Sequence, residues 1–328
     1  MALVYLYPDL VSEPTSELRW HPLLKQWVDV TVNRQNRPQM PDNWCPFCPG
    51  SGRVPDHYDV YLYPNDFPAF TFANPAFEPA IGLFQVTGAQ GACDVVIYSP
   101  DHHQLPSQLS VEQWSKIIGL WTSRTSELAA NPAVRYVQIF ENSGVAIGVT
   151  MPHPHGQIYA FPFLPPLVET ELASAQEHHR GTGHCLYCAI LEGERTAAAR
   201  VVEESESFVA FIPFFARFPT ELQIYSRRHL SNLSELTAPE TRDLAAMLSL
   251  MRRKYDALYG FPMPLMLMVR QAPSQGQHPY FHFHIEFLPI QRSAKKLKYL
   301  AGIESGTGTF LNDTRAEEEA AKLRALVV

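Results

Sequence analysis

The sequence predicts an α+β fold made of two duplicated halves, and three observations predict it. First, an apolar strand ending in Ile-Tyr-Ser, a histidine turn, a Leu-Ser segment and a long amphipathic helix occur twice, at residues 95–128 and 222–258. Second, another apolar run follows each helix, VRYVQIFENSG in one half and PLMLMVRQAPS in the other. Third, each half closes on an H-x-H pair, His153/His155 and His282/His284, and carries its own C-x-x-C upstream, Cys45/Cys48 and Cys185/Cys188. Any one of these matches could arise by chance. The shared order is what duplication produces.

Composition narrows the class. A chain of 328 residues can bury a substantial core, and 46% hydrophobic with 18% charged residues is the balance of a soluble globular protein. It has no run of eighteen apolar residues, and MALVYLYPDLVSEPTS lacks the basic-then-apolar order of a secretory signal, so a cytoplasmic, membrane-independent protein is expected. A net charge of −7 argues against a general nucleic-acid surface but leaves room for a local anion pocket. Many of the 28 prolines fall in the first third, which is expected to be irregular rather than helical.

The cysteines point to metal. In a reducing compartment, paired C-x-x-C motifs serve metal or redox chemistry rather than a disulfide framework. A redox pair is expected at a helix start after a strand; neither pair follows a clear strand, and Pro46 and Pro49 bracket the first. The repeat then yields two ordered ligand sets, Cys45, Cys48, His102, His153 and Cys185, Cys188, His229, His282. Two thiolates and two imidazoles form the closed tetrahedral set of a structural zinc, so two zinc ions per chain are expected. His103 competes with His102, but the repeat aligns His229 with His102. Cys93 sits in an apolar run and reads as a core thiol.

In MPHPHGQIYA, residues 151–160, His153, His155 and Gln157 share a period of two and project to one side of extended backbone. Pro154 holds that extension, and Gly156 leaves room for another group against the backbone. With His153 assigned to zinc, His155 on the same side can act as a nucleophile towards phosphorus, and the Gln157 amide can donate to a phosphoryl oxygen where charge develops.

Together HPHGQIYA, WCPFCPG, SPDH and FENSG resemble the galactose-1-phosphate uridylyltransferase family, in the transferase branch of the histidine-triad superfamily. The likeness runs from RWHPLLKQWVDVTVNRQNRP to RSAKKLKYLAGIESGTG. It implies two histidine-triad-like halves, residues 1–172 and 173–328, sharing one mixed, mainly antiparallel sheet with flanking helices. It also implies ping-pong chemistry in galactose metabolism. His155 takes UMP from UDP-glucose as a covalent uridylyl-histidine and passes it to galactose 1-phosphate. By position, Arg34, Arg37, Asn65, Asp66, Asn142, Gly148, Thr150 and Gln157 correspond to nucleotide-contacting residues. Lys298 and Glu304 match a segment that reaches the partner's site in homodimeric relatives, so a homodimer is expected.

This chain departs from the family pattern at several positions. Thr150 and Met151 stand where other members have Ser and Asn, and Ile303 and Phe310 stand where some have Tyr and Gln. Some members hold a second metal with a glutamate and three histidines. Here Glu171, His282 and His284 match three of those ligands, but Arg270 replaces the fourth, and a guanidinium cannot coordinate a cation. The Cys185/Cys188 set is the alternative, as in a subgroup that includes ADP-glucose phosphorylase. An adenylyl-transferring enzyme is therefore the rival reading. A zinc-stabilised nucleotide-binding protein without turnover is the non-enzyme reading, and His155 beside Gln157 argues against it. The Cys-to-His gaps are too long for a nucleic-acid zinc finger.

Overall fold

The computed structural model describes residues 16–31, 44–75 and 82–328. In the first half the strands are β1 (Glu17–His21), β2 (Gln26–Val30), β3 (Tyr61–Pro64), β4 (Val86–Gly88), β5 (Ala92–Ile97), β6 (Tyr136–Ser143) and β7 (His155–Phe161), with helix α1 (Val111–Ala129) between β5 and β6. Two helices follow, α2 (Pro166–Thr182) and α3 (Leu186–Ala197). The second half adds β8 (Val201–Glu204), β9 (Phe208–Phe211), β10 (Leu222–Ser226), α4 (Ala238–Tyr259), β11 (Leu265–Arg270) and β12 (His284–Pro289). The tail carries a small hairpin, β13 (Gln291–Ser293) and β14 (Lys296–Leu297), then α5 (Gly302–Thr307) and α6 (Ala316–Ala325). None of the described helices is long and apolar enough to cross a membrane.

Nine strands form one sheet in the order β3-β5-β7-β6-β11-β12-β10-β9-β8, antiparallel at every pairing. The order reads outward from a seam between β6 and β11, which makes the duplication visible as a pseudo-twofold axis. Phe140 pairs with Met268 across that seam, and the flanking pairs, Ile139 with Val269 and Glu141 with Leu267, exchange under the rotation. Neighbouring registers agree: Phe140 faces Gln157 on β7, and Met268 faces Glu286 on β12. Hence His155 corresponds to His284, Gly156 to Ile285, Asn142 to Arg270 and Glu141 to Val269.

One face of the sheet packs on α1 and α4. On α1 the Ser110 hydroxyl caps the first turn, accepting from the Gln113 amide at 3.1 Å, and Trp114, Ile117, Ile118 and Trp121 recur at helical spacing and are fully buried. On α4 Thr237 and Glu240 form a capping box, Gly260 ends the helix in the left-handed region, and Leu244, Leu248, Met251 and Tyr255 face the same core. The other face differs between halves. In the second half α2 and α3 cover it, with Ala175, Tyr187 and Leu191 packed on Phe211, Tyr225 and Phe281. In the first half the cysteine loop covers part of it through Phe47 and Val54, packed with Tyr63 of β3, and β7 alternates half-buried with buried residues from His155 onward. His155 therefore stays half-buried while His284 is 2% exposed.

The two Ile-Tyr-Ser runs match in sequence but lie one residue out of step in the sheet. Ile97 pairs with His155, whereas Tyr225 pairs with His284. A slip of one residue reverses the facing of a strand. Tyr98 accordingly packs among Trp114 and Trp121 on the helix side, and Tyr225 lies against His282, His284 and Tyr187 on the other.

Candidate active site and metal centres

The first ligand set converges. Cys48 Sγ lies 3.4 Å from His102 Nδ1, and His153 Nδ1 lies 3.7 Å from both Cys45 Sγ and Cys48 Sγ. A tetrahedral zinc with ordinary Zn–S and Zn–N bonds sets its sulfur and nitrogen ligands about 3.5 Å apart, so the donors already stand at coordinating separations. His153 is fully buried, and its Nε2–H donates to the Ser99 carbonyl at 2.7 Å. A carbonyl can only accept, so this bond leaves Nδ1 as the lone-pair nitrogen facing the thiols. Burial pushes His153 down to about 4, keeping it neutral as a ligand must be. Burial likewise pushes the Cys45 thiol up to about 11, with Cys48 beside it; a bound cation would reverse that.

The second set repeats this geometry. Cys188 Sγ is 3.4 Å from both His229 Nδ1 and His282 Nδ1, and His282 Nε2–H donates to the Ser226 carbonyl at 3.0 Å. Cys185 caps the start of α3, and hydrogen bonds from Cys188, His229 and His282 pull its thiol down. The donor atoms of each set of four lie within 4.8 Å of one another. Neither group includes Glu171 or His284. Arg270 instead donates to Glu286 at 2.9 Å in a buried pair; burial alone would depress the guanidinium, but Glu286, Glu171 and Tyr136 outweigh it and hold it charged.

Immediately after His153, His155 opens β7. Its Nδ1–H donates to the His153 carbonyl at 2.7 Å, so in that tautomer Nε2 carries the ring's lone pair. The Phe47 ring, inside the Cys45–Cys48 loop, packs edge-on against both imidazoles at 5.9 and 5.7 Å. Gln157 follows on the same face, two residues along β7. A cavity of about 200 Å³ opens beside His155, lined among others by Glu141, Asn142, Ser143, Met151 and Arg252.

The other expected contacts are distributed unevenly. Asn142 lies at the end of β6 beside His155 and shares its cavity. Gly148, in the left-handed region at φ 84°, and Thr150 are exposed on the loop between β6 and β7. Asn65 and Asp66 follow β3; Asp66 accepts from Tyr63 at 2.8 Å and pairs with Arg53, and the Tyr63 ring leans on Phe47 at 5.3 Å. Asp66 is thus tied to the cysteine loop, while the Asn65 side chain accepts from the Phe67 amide at 2.9 Å. Lys298 and Glu304 meet each other, Nζ to Oε1 at 2.9 Å, with the Lys298 side chain fully buried. Arg34 and Arg37 lie outside the described residues.

Sequence reasoning missed Phe47, although it sits inside CPFC, and the Ser99 carbonyl, which no side-chain pattern could reveal. It also missed the buried pair of Glu141 and Arg252, 3.1 Å apart, because the helix that brings Arg252 is more than a hundred residues further along the chain.

Comparison with known proteins shows the family. Two family models match in tandem, described as galactose-1-phosphate uridyl transferase, N-terminal domain, over residues 12–165 and C-terminal domain over residues 171–328. The galactose-1-phosphate uridylyltransferase of Thermotoga maritima is 38% identical, over 94% of this chain and 98% of that one. A solved uridylyltransferase superposes with a TM-score of 0.87 at 35% identity, covering 94% of this chain and 97% of its own. An ADP-glucose phosphorylase from Arabidopsis thaliana, solved with bound ADP-glucose, gives a TM-score of 0.75 at 27% identity, covering 95% of this chain and all of its own.

Proposed function

The chain belongs to the galactose-1-phosphate uridylyltransferase family, and from that premise we propose that it moves UMP from UDP-glucose to galactose 1-phosphate through a covalent uridylyl-histidine. His155 Nε2 attacks the α-phosphorus, the bond from that phosphorus to the bridging oxygen breaks, and glucose 1-phosphate leaves with the electron pair. UMP stays on the ring through a P–N bond. A phosphate oxygen of galactose 1-phosphate then displaces the imidazole, giving UDP-galactose. Gln157 supplies an amide N–H to the phosphoryl oxygens as their charge grows.

The observation that carries this reading is the Nδ1 bond from His155 to the His153 carbonyl, 2.7 Å, because it presents the opposite nitrogen for attack. The ligands named above fit zinc, which when bound cross-links each cysteine loop to the sheet and so fixes His153. Asn142 shares the cavity of His155, and we assign Asn65, Asp66, Gly148 and Thr150, with Arg34 and Arg37, to the nucleotide. The halves 1–172 and 173–328 are assigned as catalytic and supporting. We further propose a cytoplasmic homodimer in which the tail around Lys298 and Glu304 completes the partner's site.

Incubation with radiolabelled UDP-glucose alone tests the chemistry. One equivalent of glucose 1-phosphate per site and an acid-labile, alkali-stable label on the protein are expected. Labelling by ADP-glucose but not UDP-glucose would keep the histidine chemistry and move the assignment to the adenylyl relative. No label from either, with normal turnover in His155→Ala, would overturn the nucleophile.

A further inference from the structure

Beneath the catalytic strand the core contains a polar cluster that the second half lacks. Gly156 lies between His155 and Gln157 with its α-carbon turned to the helix side; a Cβ there would stand 2.2 Å from the Tyr98 hydroxyl and 3.1 Å from the Phe140 carbonyl. The glycine is thus required by a contact from behind rather than by a substrate in front. Tyr98 is fully buried, its ring fixed between Trp114 and Trp121. Its hydroxyl lies beside the Glu141 carboxylate. Glu141, 1% exposed, pairs with Arg252 of α4 at 3.1 Å, and both bond the Ser143 hydroxyl, Arg252 at 3.0 Å.

The duplication supplies an internal control. Ile285 stands where Gly156 stands, and Val269 where Glu141 stands. Counting from the helix caps Ser110 and Thr237, Thr125 aligns with Arg252. The half without an accessible nucleophile therefore has no charged residue at these positions. A buried ion pair contributes little to stability compared with apolar residues of similar volume, so stability does not explain why only one half has it.

We propose that Tyr98, Glu141 and Arg252 are positioning residues, a rigid polar support that fixes the backbone between His155 and Gln157 so that the imidazole and the amide address one phosphorus atom together. The inference rests on the covalent mechanism above. Tyr98 blocks retreat of the strand at Gly156, while the Glu141–Arg252 pair ties β6, beside that strand, to the helix of the other half. Misplacement of reacting groups by about 1 Å costs around 100-fold in rate, which is the scale of effect such a support controls.

Two variants test it in the full-length, metal-loaded protein. Glu141→Val with Arg252→Thr copies the second half, and Tyr98→Phe removes only the hydroxyl. The single-turnover rate of glucose 1-phosphate release, KM for UDP-glucose and thermal midpoint are measured for each. The expected result is a ten- to hundredfold loss in rate in both, with KM within about twofold and the midpoint unchanged in Tyr98→Phe. An unchanged rate in Tyr98→Phe overturns the proposal, whether or not the double variant folds. A double variant that folds and turns over at the wild-type rate also overturns it. Failure of the covalent mechanism is distinguishable, because the unmodified protein would then release no glucose 1-phosphate from UDP-glucose alone.

Discussion

His284 occupies in the second half the place His155 occupies in the first, each with Nδ1 on the carbonyl of the histidine two residues before, at 2.9 and 2.7 Å. The geometry of the rings is shared, but their surroundings are not. Tyr187, Tyr225 and Phe281 pack around His284 at 5.2, 4.9 and 6.3 Å, and Arg270 and Glu286 take the positions of Asn142 and Gln157. Their ion pair places a carboxylate where the first half offers an amide, so an anionic phosphoryl group would meet a like charge in a filled space. Duplication supplied two histidine sites, and α2 and α3 closed one of them.

It follows that the two histidines separate by substitution. His155→Ala is expected to abolish the covalent label and lower turnover by at least about 1,000-fold, leaving metal content unchanged. His284→Ala should retain the label and most of the turnover while losing about 2 kcal/mol of stability to the cavity it leaves. Acid-labile labelling and urea denaturation, run on both variants, check the pair; a label lost in His284→Ala would refute the division.

The two metal sets should separate in the same way. Cys48→Ser and Cys188→Ser are each expected to lower bound zinc from two to one per chain, measured by elemental analysis after dialysis. Cys48→Ser should also reduce turnover strongly, because the same loop carries Phe47 against His155 at 5.7 Å. Cys188→Ser should act on thermal stability first, since its set lies behind the filled second site. Equal loss of activity in both, at a temperature where both stay folded, would show that the two sets do not divide their roles.

Much of this was legible in the chain, and what was not has physical causes. Ligand sets and duplicated order are properties of spacing, so Cys45, Cys48, His102, His153 and their counterparts match by position along the chain. The facing of a strand depends on register, which is why Tyr98 and Tyr225, identical in their Ile-Tyr-Ser context, end on opposite sides of the sheet. The glycine of HPHGQ was recognisable as a place of close approach, but the approaching atom, the Tyr98 hydroxyl, lies more than fifty residues earlier. Likeness places Lys298 and Glu304 in a segment that reaches the partner's site in homodimeric relatives, but their pairing with each other depends on the fold of the tail.

Stability should fall with acid in a defined window. Burial lowers His284 from the ordinary 6.5 to about 4, so between those values the unfolded chain binds a proton that the folded chain refuses. The contribution is fully present above about pH 6.5 and is lost as pH falls towards 4, amounting to about 3 kcal/mol. Glu286, lowered because Arg270, His284 and Arg217 overcome the opposing effect of burial, adds a loss of the same sign at lower pH. Glu171, raised by burial, acts in the opposite sense. Urea denaturation of the zinc-loaded protein from pH 7 to 4 should therefore show a decline that is shallower in His284→Asn. Parallel curves would remove His284 as the cause.

The last prediction concerns the tail. Lys298 directs its ammonium inward, to Glu304 and to the Leu311 carbonyl, and these bonds close the segment between them into a compact loop. The Lys298 hydrogen bond pulls Glu304 down to about 2, so its carboxylate stays ionised throughout the neutral range. The same loop leaves Tyr299, Leu300 and Ile303 exposed at 69%, 50% and 48%. If the loop completes the site of a second copy, Lys298 acts by shaping it rather than by touching substrate. Lys298→Met keeps the length of the side chain and removes the charge, leaving the buried carboxylate and carbonyl without their donor. The expected outcome is faster proteolytic cleavage between residues 299 and 311 and a several-fold higher KM for UDP-glucose. The single-turnover rate at saturation should remain close to that of the unmodified protein. Sedimentation of both proteins would show whether two copies associate and whether the loosened loop weakens that association. A fall in the saturated rate with KM unchanged would instead place the ammonium on the reacting phosphates.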